Sequence, residues 1–80
     1  MQLEYKPEAV KQLKKLPQRE QKKVIKKINL LFQNPYIGKN LKGELDGLKS
    51  FKAWPYRIIY EINKKSLIIL SISHRQGAYK

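Results

Sequence analysis

Four consecutive apolar residues, Leu67-Ile68-Ile69-Leu70, constrain this chain most. The run is too short for a buried helix and rich in β-branched side chains, so it reads as a strand. Apolar groups on successive positions put that strand inside a sheet, with helices covering at least one face. Neighbouring segments supply more of the sheet. Leu48 to Trp54, Tyr56 to Asn63 and Ser66 to Ser73 are strand candidates, and Asn63-Lys64-Lys65-Ser66 suits a hairpin connection. Gln2 to Tyr5 alternates and is a further short candidate.

The first half of the chain carries the helices. Pro7 suits a helix start, because its missing N–H is not needed there. Ala9, Val10, Leu13 and Leu16 follow at helical spacing until Pro17 stops the run. A second helix is expected from Pro17 or Gln18 to Gln33, with Val24, Ile28 and Leu31 as its apolar stripe, widened by Ile25 and Phe32. Asn34-Pro35 ends it. So short a link between two helices predicts an antiparallel hairpin. Tyr36 to Gly47 is loop-like, with Leu41 and Leu45 expected to pin it to the core. The predicted order is β-α-α-β-β-β. This is an α+β fold: a helical hairpin packed on a mainly antiparallel sheet. Eighty residues suit one domain over 1–80 with one modest core.

Eighteen Lys and Arg against six Asp and Glu give a formal charge of +12. Self-repulsion of that size weakens a folded monomer, and a polyanion relieves it. Nucleic acid is the leading partner, since each neutralised phosphate releases counterions. An acidic protein serves the same electrostatic purpose. Arg19, Lys22, Lys23, Lys26 and Lys27 fall largely opposite the apolar stripe of the second helix. They form either an ordinary solvated face or a surface that tracks phosphates. The lack of cysteine fits a reducing cytoplasm, and one histidine with six acids leaves little for a metal cage. Neither a signal peptide nor a membrane span is expected, and no cofactor is implied.

Strand pairing brings some of these cations together. A symmetric turn at Trp54-Pro55 places Lys52 directly opposite Arg57 on one face. Like charges so placed repel. They either splay into water or clamp an anion, for which arginine offers a planar fork and lysine a movable charge. A symmetric turn at Lys64-Lys65 sets Arg57 opposite Ile72, so that His74 shares the face of Arg57. Arg75 reaches that face only through a bend or bulge.

Several pieces of the chain, in order, resemble the RelE/ParE superfamily of toxins from bacterial and archaeal toxin–antitoxin systems, on its RelE side. They are Leu13-Lys14-Lys15-Leu16-Pro17, Asn34-Pro35, Leu41-Lys42-Gly43-Glu44-Leu45-Asp46-Gly47, Tyr56-Arg57-Ile58-Ile59-Tyr60-Glu61-Ile62 and His74-Arg75-Gln76-Gly77-Ala78-Tyr79. The resemblance spans nearly the whole length. It implies a RelE-like, microbial-ribonuclease-like fold and an mRNA interferase that cuts mRNA in the ribosomal A site without metal. It also implies an antitoxin that wraps the toxin and blocks its site. The motif positions carry over to Arg57, Arg75 and Tyr79. Lys52 best fits a basic position in the preceding strand, with Lys49 as second choice. Two departures lower the expected catalytic strength. The sequence runs one residue past Tyr79, without the C-terminal helix of some relatives, and Ser50 stands where many relatives carry a second basic residue.

The implied reaction makes defined demands. The 2′-hydroxyl must lose a proton, the phosphorane's added charge must be stabilised, and the departing 5′-oxygen must gain a proton. Arg57 is the candidate for charge stabilisation. Lys52 is a candidate base, a role that a neighbouring cation favours. Arg75 suits stabilisation of the leaving group better than proton donation. His74 has the ordinary pKa for acid–base work, although a lone histidine at a strand end is more often structural. Tyr79 either stacks on a splayed base or fastens the chain end. Trp54 is a stacking platform or a contact for core or antitoxin.

Overall fold

Prolines and extended residues set the helix limits. Pro7 occupies the first turn of α1 (Pro7–Lys15), where its missing N–H removes no helical bond. Leu16 turns extended, and its N–H donates to the Leu13 carbonyl at 3.1 Å. Pro17 then leads into α2 (Gln18–Gln33). At the far end of α2 the Asn34 N–H is shared between the Leu30 and Leu31 carbonyls, each at 3.1 Å. Pro35 has no N–H with which to continue the ladder. The structure, a computed structural model, describes residues 1–74.

The five strands are β1 (Gln2–Tyr5), β2 (Lys39–Asn40), β3 (Lys49–Ala53), β4 (Tyr56–Asn63) and β5 (Ser66–His74). They form one sheet in the order β1-β5-β4-β3-β2. All neighbours are antiparallel except β1 and β5, which run parallel. The apolar run Leu67 to Leu70 thus lies in an interior strand. Leu67 and Ile69 are fully buried in the core, and Ile68, on the other face between Glu4 and Glu61, is only 8% exposed. The helices cover one face of the sheet. Ala9 of α1 and Val24, Ile28 and Leu31 of α2 meet Ala53, Ile58, Tyr60, Leu67, Ile69 and Ile72 in one core. The Ile72 N–H, past the end of β1, donates to Gln12 Oε1 at 2.6 Å and ties β5 to α1. Among the described residues no helix is long and apolar enough to cross a membrane.

Four expectations needed correction. β2 lies in the stretch expected to be loop, because two polar residues carry no strand periodicity; pairing with β3 makes it a strand. Leu45 stays exposed instead of pinning the loop, while Leu41 is half-buried. Ile25 and Phe32 are more than one-third exposed. They lie on the flank of α2, whose buried residues are only the narrower Val24, Ile28, Leu31 stripe. The β4–β5 register also shifts. Asn63 to Tyr60 pair with Ser66 to Ile69 as a symmetric turn requires, but Ile59 pairs with Ser71, leaving Leu70 extra as a bulge. Beyond it Arg57 faces Ser73, not Ile72, and His74 pairs with Tyr56.

Candidate nucleic-acid interface

The β3–β4 hairpin presents two chemically different faces. Alternation sends Phe51, Ala53, Tyr56, Ile58 and Tyr60 towards the helices, and Ser50, Lys52, Arg57 and Ile59 to the other side. The turn at Trp54-Pro55, whose peptide bond is cis, has the two residues that pair Ala53 with Tyr56. Lys52 therefore stands directly opposite Arg57. The adjacent edge strand adds Lys39, whose register partner is Ser50. Lys39, Ser50, Phe51, Lys52 and Arg57, with Ile37 and Leu41 from the preceding loop, line an open cleft of about 360 Å³. Three cations and three apolar residues in one concavity suit a ligand with anionic oxygens and an apolar surface, as a nucleotide has.

The loop that closes this cleft is latched from the core. Tyr60 is fully buried, yet its hydroxyl donates to the Pro35 carbonyl at 2.8 Å and accepts the Gly38 N–H at 3.1 Å. Burial raises its pKa above the ordinary 10.0, and the Gly38 N–H partly offsets that. A Cβ at position 38 would overlap the Tyr60 hydroxyl and lie 2.7 Å from Cε1. Only glycine lets the backbone come this close. Lys39 is the next residue, so the latch fixes where β2 begins.

The other predicted site residues scatter. Lys49 lies on the helical side of β3. Its ammonium bonds Asn40 Oδ1 and lies 5.8 Å from the Tyr36 ring centroid, apart from Lys52. His74, expected on the face of Arg57, is on the opposite one because of the bulge. It meets Tyr56 edge-on, with ring centroids 5.6 Å apart. A bulge, which Arg75 needs to share the face of Arg57, is present, but Arg75 and Tyr79 lie outside the described residues. Trp54, at the hairpin tip, is 61% exposed.

The basic row of α2 stands on the helical side of the molecule. Arg19, Lys22, Lys23 and Lys26 line a shallow depression there. Its members differ in their contacts. Lys23 pairs with Glu20 at 3.1 Å and donates to the Trp54 carbonyl at 3.0 Å. Lys27 is half-buried, 6.0 Å from the Phe51 ring centroid. Lys23 and Lys27 thus both join this row to the hairpin whose far face carries Lys52 and Arg57. Sequence reasoning missed Lys39, Ile37 and Leu41 as cleft residues. Only the pairing of β2 with β3 brings them there, and a Gly-Lys-Asn step in a loop carries no local sign of it.

The chain matches the family described as ParE toxin of type II toxin–antitoxin system, parDE, over residues 3–79. No curated protein matches it. Among solved structures it is similar to the RelBE2 toxin–antitoxin complex from Mycobacterium tuberculosis, at 31% identity and a TM-score of 0.84, covering 92% of this chain and 96% of that one. It is similar to the archaeal RelE–RelB complex from Pyrococcus horikoshii OT3, at 26% identity and a TM-score of 0.74, covering 96% and 97%. The chromosomal ParDE system from P. aeruginosa shares the fold at 18% identity, with a TM-score of 0.75 and coverage of 92% and 95%.

Proposed function

Because the chain belongs to the ParE toxin family of type II toxin–antitoxin systems, within the RelE/ParE superfamily, we propose that it is an mRNA endoribonuclease acting on translating ribosomes in the cytoplasm. A cognate antitoxin is the partner expected of any such toxin. One observation carries the nuclease reading: Lys52 stands directly opposite Arg57 in a cation-lined cleft on the face away from the helices. Like charges directly opposite one another across a strand pair repel, and a phosphoryl group between them turns that repulsion into binding.

In the proposed reaction the ribose 2′-oxygen bonds to phosphorus and the P–O5′ bond breaks. The products are a 2′,3′-cyclic phosphate and a 5′-hydroxyl. Arg57 holds the non-bridging oxygens as the phosphorane gains charge. Lys52, beside it, takes the 2′-proton. Arg75 supports the departing oxygen, which takes a proton from a solvent water as it leaves, and Tyr79 stacks on or orients the nucleotide. Lys49 and His74 are the weaker candidates for acid–base work, since each lies on the helical side of its strand. The exposed cations of α2 bind ribosomal or messenger RNA backbone. Arg57→Ala and Arg75→Ala are each expected to abolish growth inhibition while leaving antitoxin binding intact. Primer extension on mRNA after induction is expected to show cuts within translated codons for the wild type alone. Undiminished toxicity of either variant removes that residue from the mechanism.

The match to a ParE family supports a second reading, in which the same scaffold inhibits DNA gyrase without RNA chemistry. Intact mRNA together with gyrase-dependent DNA breaks would select it.

A further inference from the structure

Lys39 shares the cleft with Lys52 and Arg57 but comes from a different strand. Its register partner, Ser50, is two residues before Lys52, so Lys39 is a diagonal neighbour of Lys52, at about 7–8 Å. Lys52 and Arg57 are direct partners, at about 4.5–5.5 Å between Cβ atoms. The three charges therefore form a close pair and an outlier. One phosphodiester carries a single negative charge, which the pair already meets. We infer that Lys39 binds the phosphate adjacent to the one held by Lys52 and Arg57, and so sets which linkage of the RNA enters the close pair. This deepens the nuclease reading above and rests on it.

Pairing with β3 and the Lys49 bond to Asn40 hold β2 from one side only. The strand has two residues, both exposed. The Gly38 N–H bond to the buried Tyr60 hydroxyl is the anchor next to it in sequence. Tyr60 is thus a positioning residue, acting from the core through Gly38 on Lys39. Ile37 and Leu41, on either side of β2, offer the apolar surface against which the intervening nucleotide lies.

The probe is a short single-stranded RNA, 2′-O-methylated so that it cannot be cut. Its linkages are replaced one at a time by neutral methylphosphonate, and binding is read by fluorescence anisotropy across a salt series. Wild type is expected to lose affinity at two adjacent linkages. Lys39→Ala is expected to bind roughly tenfold more weakly, with the slope of log affinity against log salt smaller by roughly 0.7. It should then be insensitive to substitution at one of the two linkages and still sensitive at the other. Arg57→Ala should lose the complementary sensitivity. Tyr60→Phe should weaken binding in the wild-type background and add nothing to Lys39→Ala; an additive loss would reduce Tyr60 to a purely structural role. If Lys39→Ala keeps the wild-type slope and both sensitive linkages while Arg57→Ala does not, the inference is overturned and the nuclease site stands. If Lys52→Ala and Arg57→Ala also bind as wild type, the cleft does not hold RNA, and both fall.

Discussion

At position 38 a hydrogen atom is all the space allows, because the Tyr60 ring occupies the place of a side chain. Gly38→Ala must displace either the ring or the loop. The expected loss is about 1–3 kcal/mol, the usual cost of overpacking. Tyr60→Phe keeps the ring but leaves the Pro35 carbonyl and the Gly38 N–H without their partner, with a similar expected loss of about 1–3 kcal/mol. Urea unfolding measures both, and a Gly38→Ala protein as stable as wild type would refute the latch. Tyr60 also predicts a pH dependence. Its pKa is raised in the folded state, so the neutral phenol is favoured by folding. That stability is complete below the ordinary 10.0 and is lost as pH rises towards the higher folded value. Tyr5, raised by burial, has the same sign. Alkaline melting series are expected to fall less steeply for Tyr60→Phe than for wild type. Arg57 and Lys52 were legible as a pair from the residues alone, because a two-residue turn leaves no freedom in their pairing. Lys39 was not, because its role depends on its strand partner Ser50, eleven residues further along the chain.

Among the elements, β5 has the most informative irregularity. Leu70 is the extra residue opposite the Ile59/Tyr60 step, and it reverses the face expected for residues 71–74. It takes Ser71 and Ser73 to the face of Arg57, and keeps Ile72 in the core with Ile58. Deleting Leu70 alone should therefore be tolerated. Ser71 then follows Ile69 in regular alternation, and the faces of residues 71–74 are unchanged. Deleting Ile68 instead would invert the strand on one side of the gap and expose apolar groups there. Melting temperatures of the two deletions test this: a Leu70 deletion as damaging as the Ile68 deletion would show that the bulge itself is required. In α2 the core stripe is narrower than the apolar pattern suggests. Ile28→Ala should cost about 2–5 kcal/mol, whereas Ile25→Ala, on a side chain 38% exposed, should cost far less.

At the scale of the whole molecule, charge dominates. A formal +12 on 80 residues works against compactness. The cation-lined cleft and the basic row of α2 stand on opposite sides of the sheet, so a single straight anionic strand does not cover both. Binding to both sides suits a partner that surrounds the protein, such as a ribosomal site or a wrapping acidic chain. The free protein is expected to melt at higher temperature as salt rises, since the screening length shortens from about 10 Å at 0.1 M to about 3 Å at 1 M. A short polyanion should do the same at far lower concentration by binding the folded state. A melting temperature indifferent to both would mean that repulsion is not a significant term.

The order of helices and strands apart from β2, the proline boundaries, the interior place of Leu67 to Leu70 and the opposition of Lys52 to Arg57 all followed from the amino-acid sequence. Each depends on local periodicity, turn length or a missing N–H, which act over a few residues. The tertiary structure alone decided the β2 pairing, the bulge at Leu70, the faces of Lys49 and His74, and the latch that carries Lys39 into the cleft. These depend on which groups meet across the sheet once the core has formed, and no short stretch of chain encodes such a meeting.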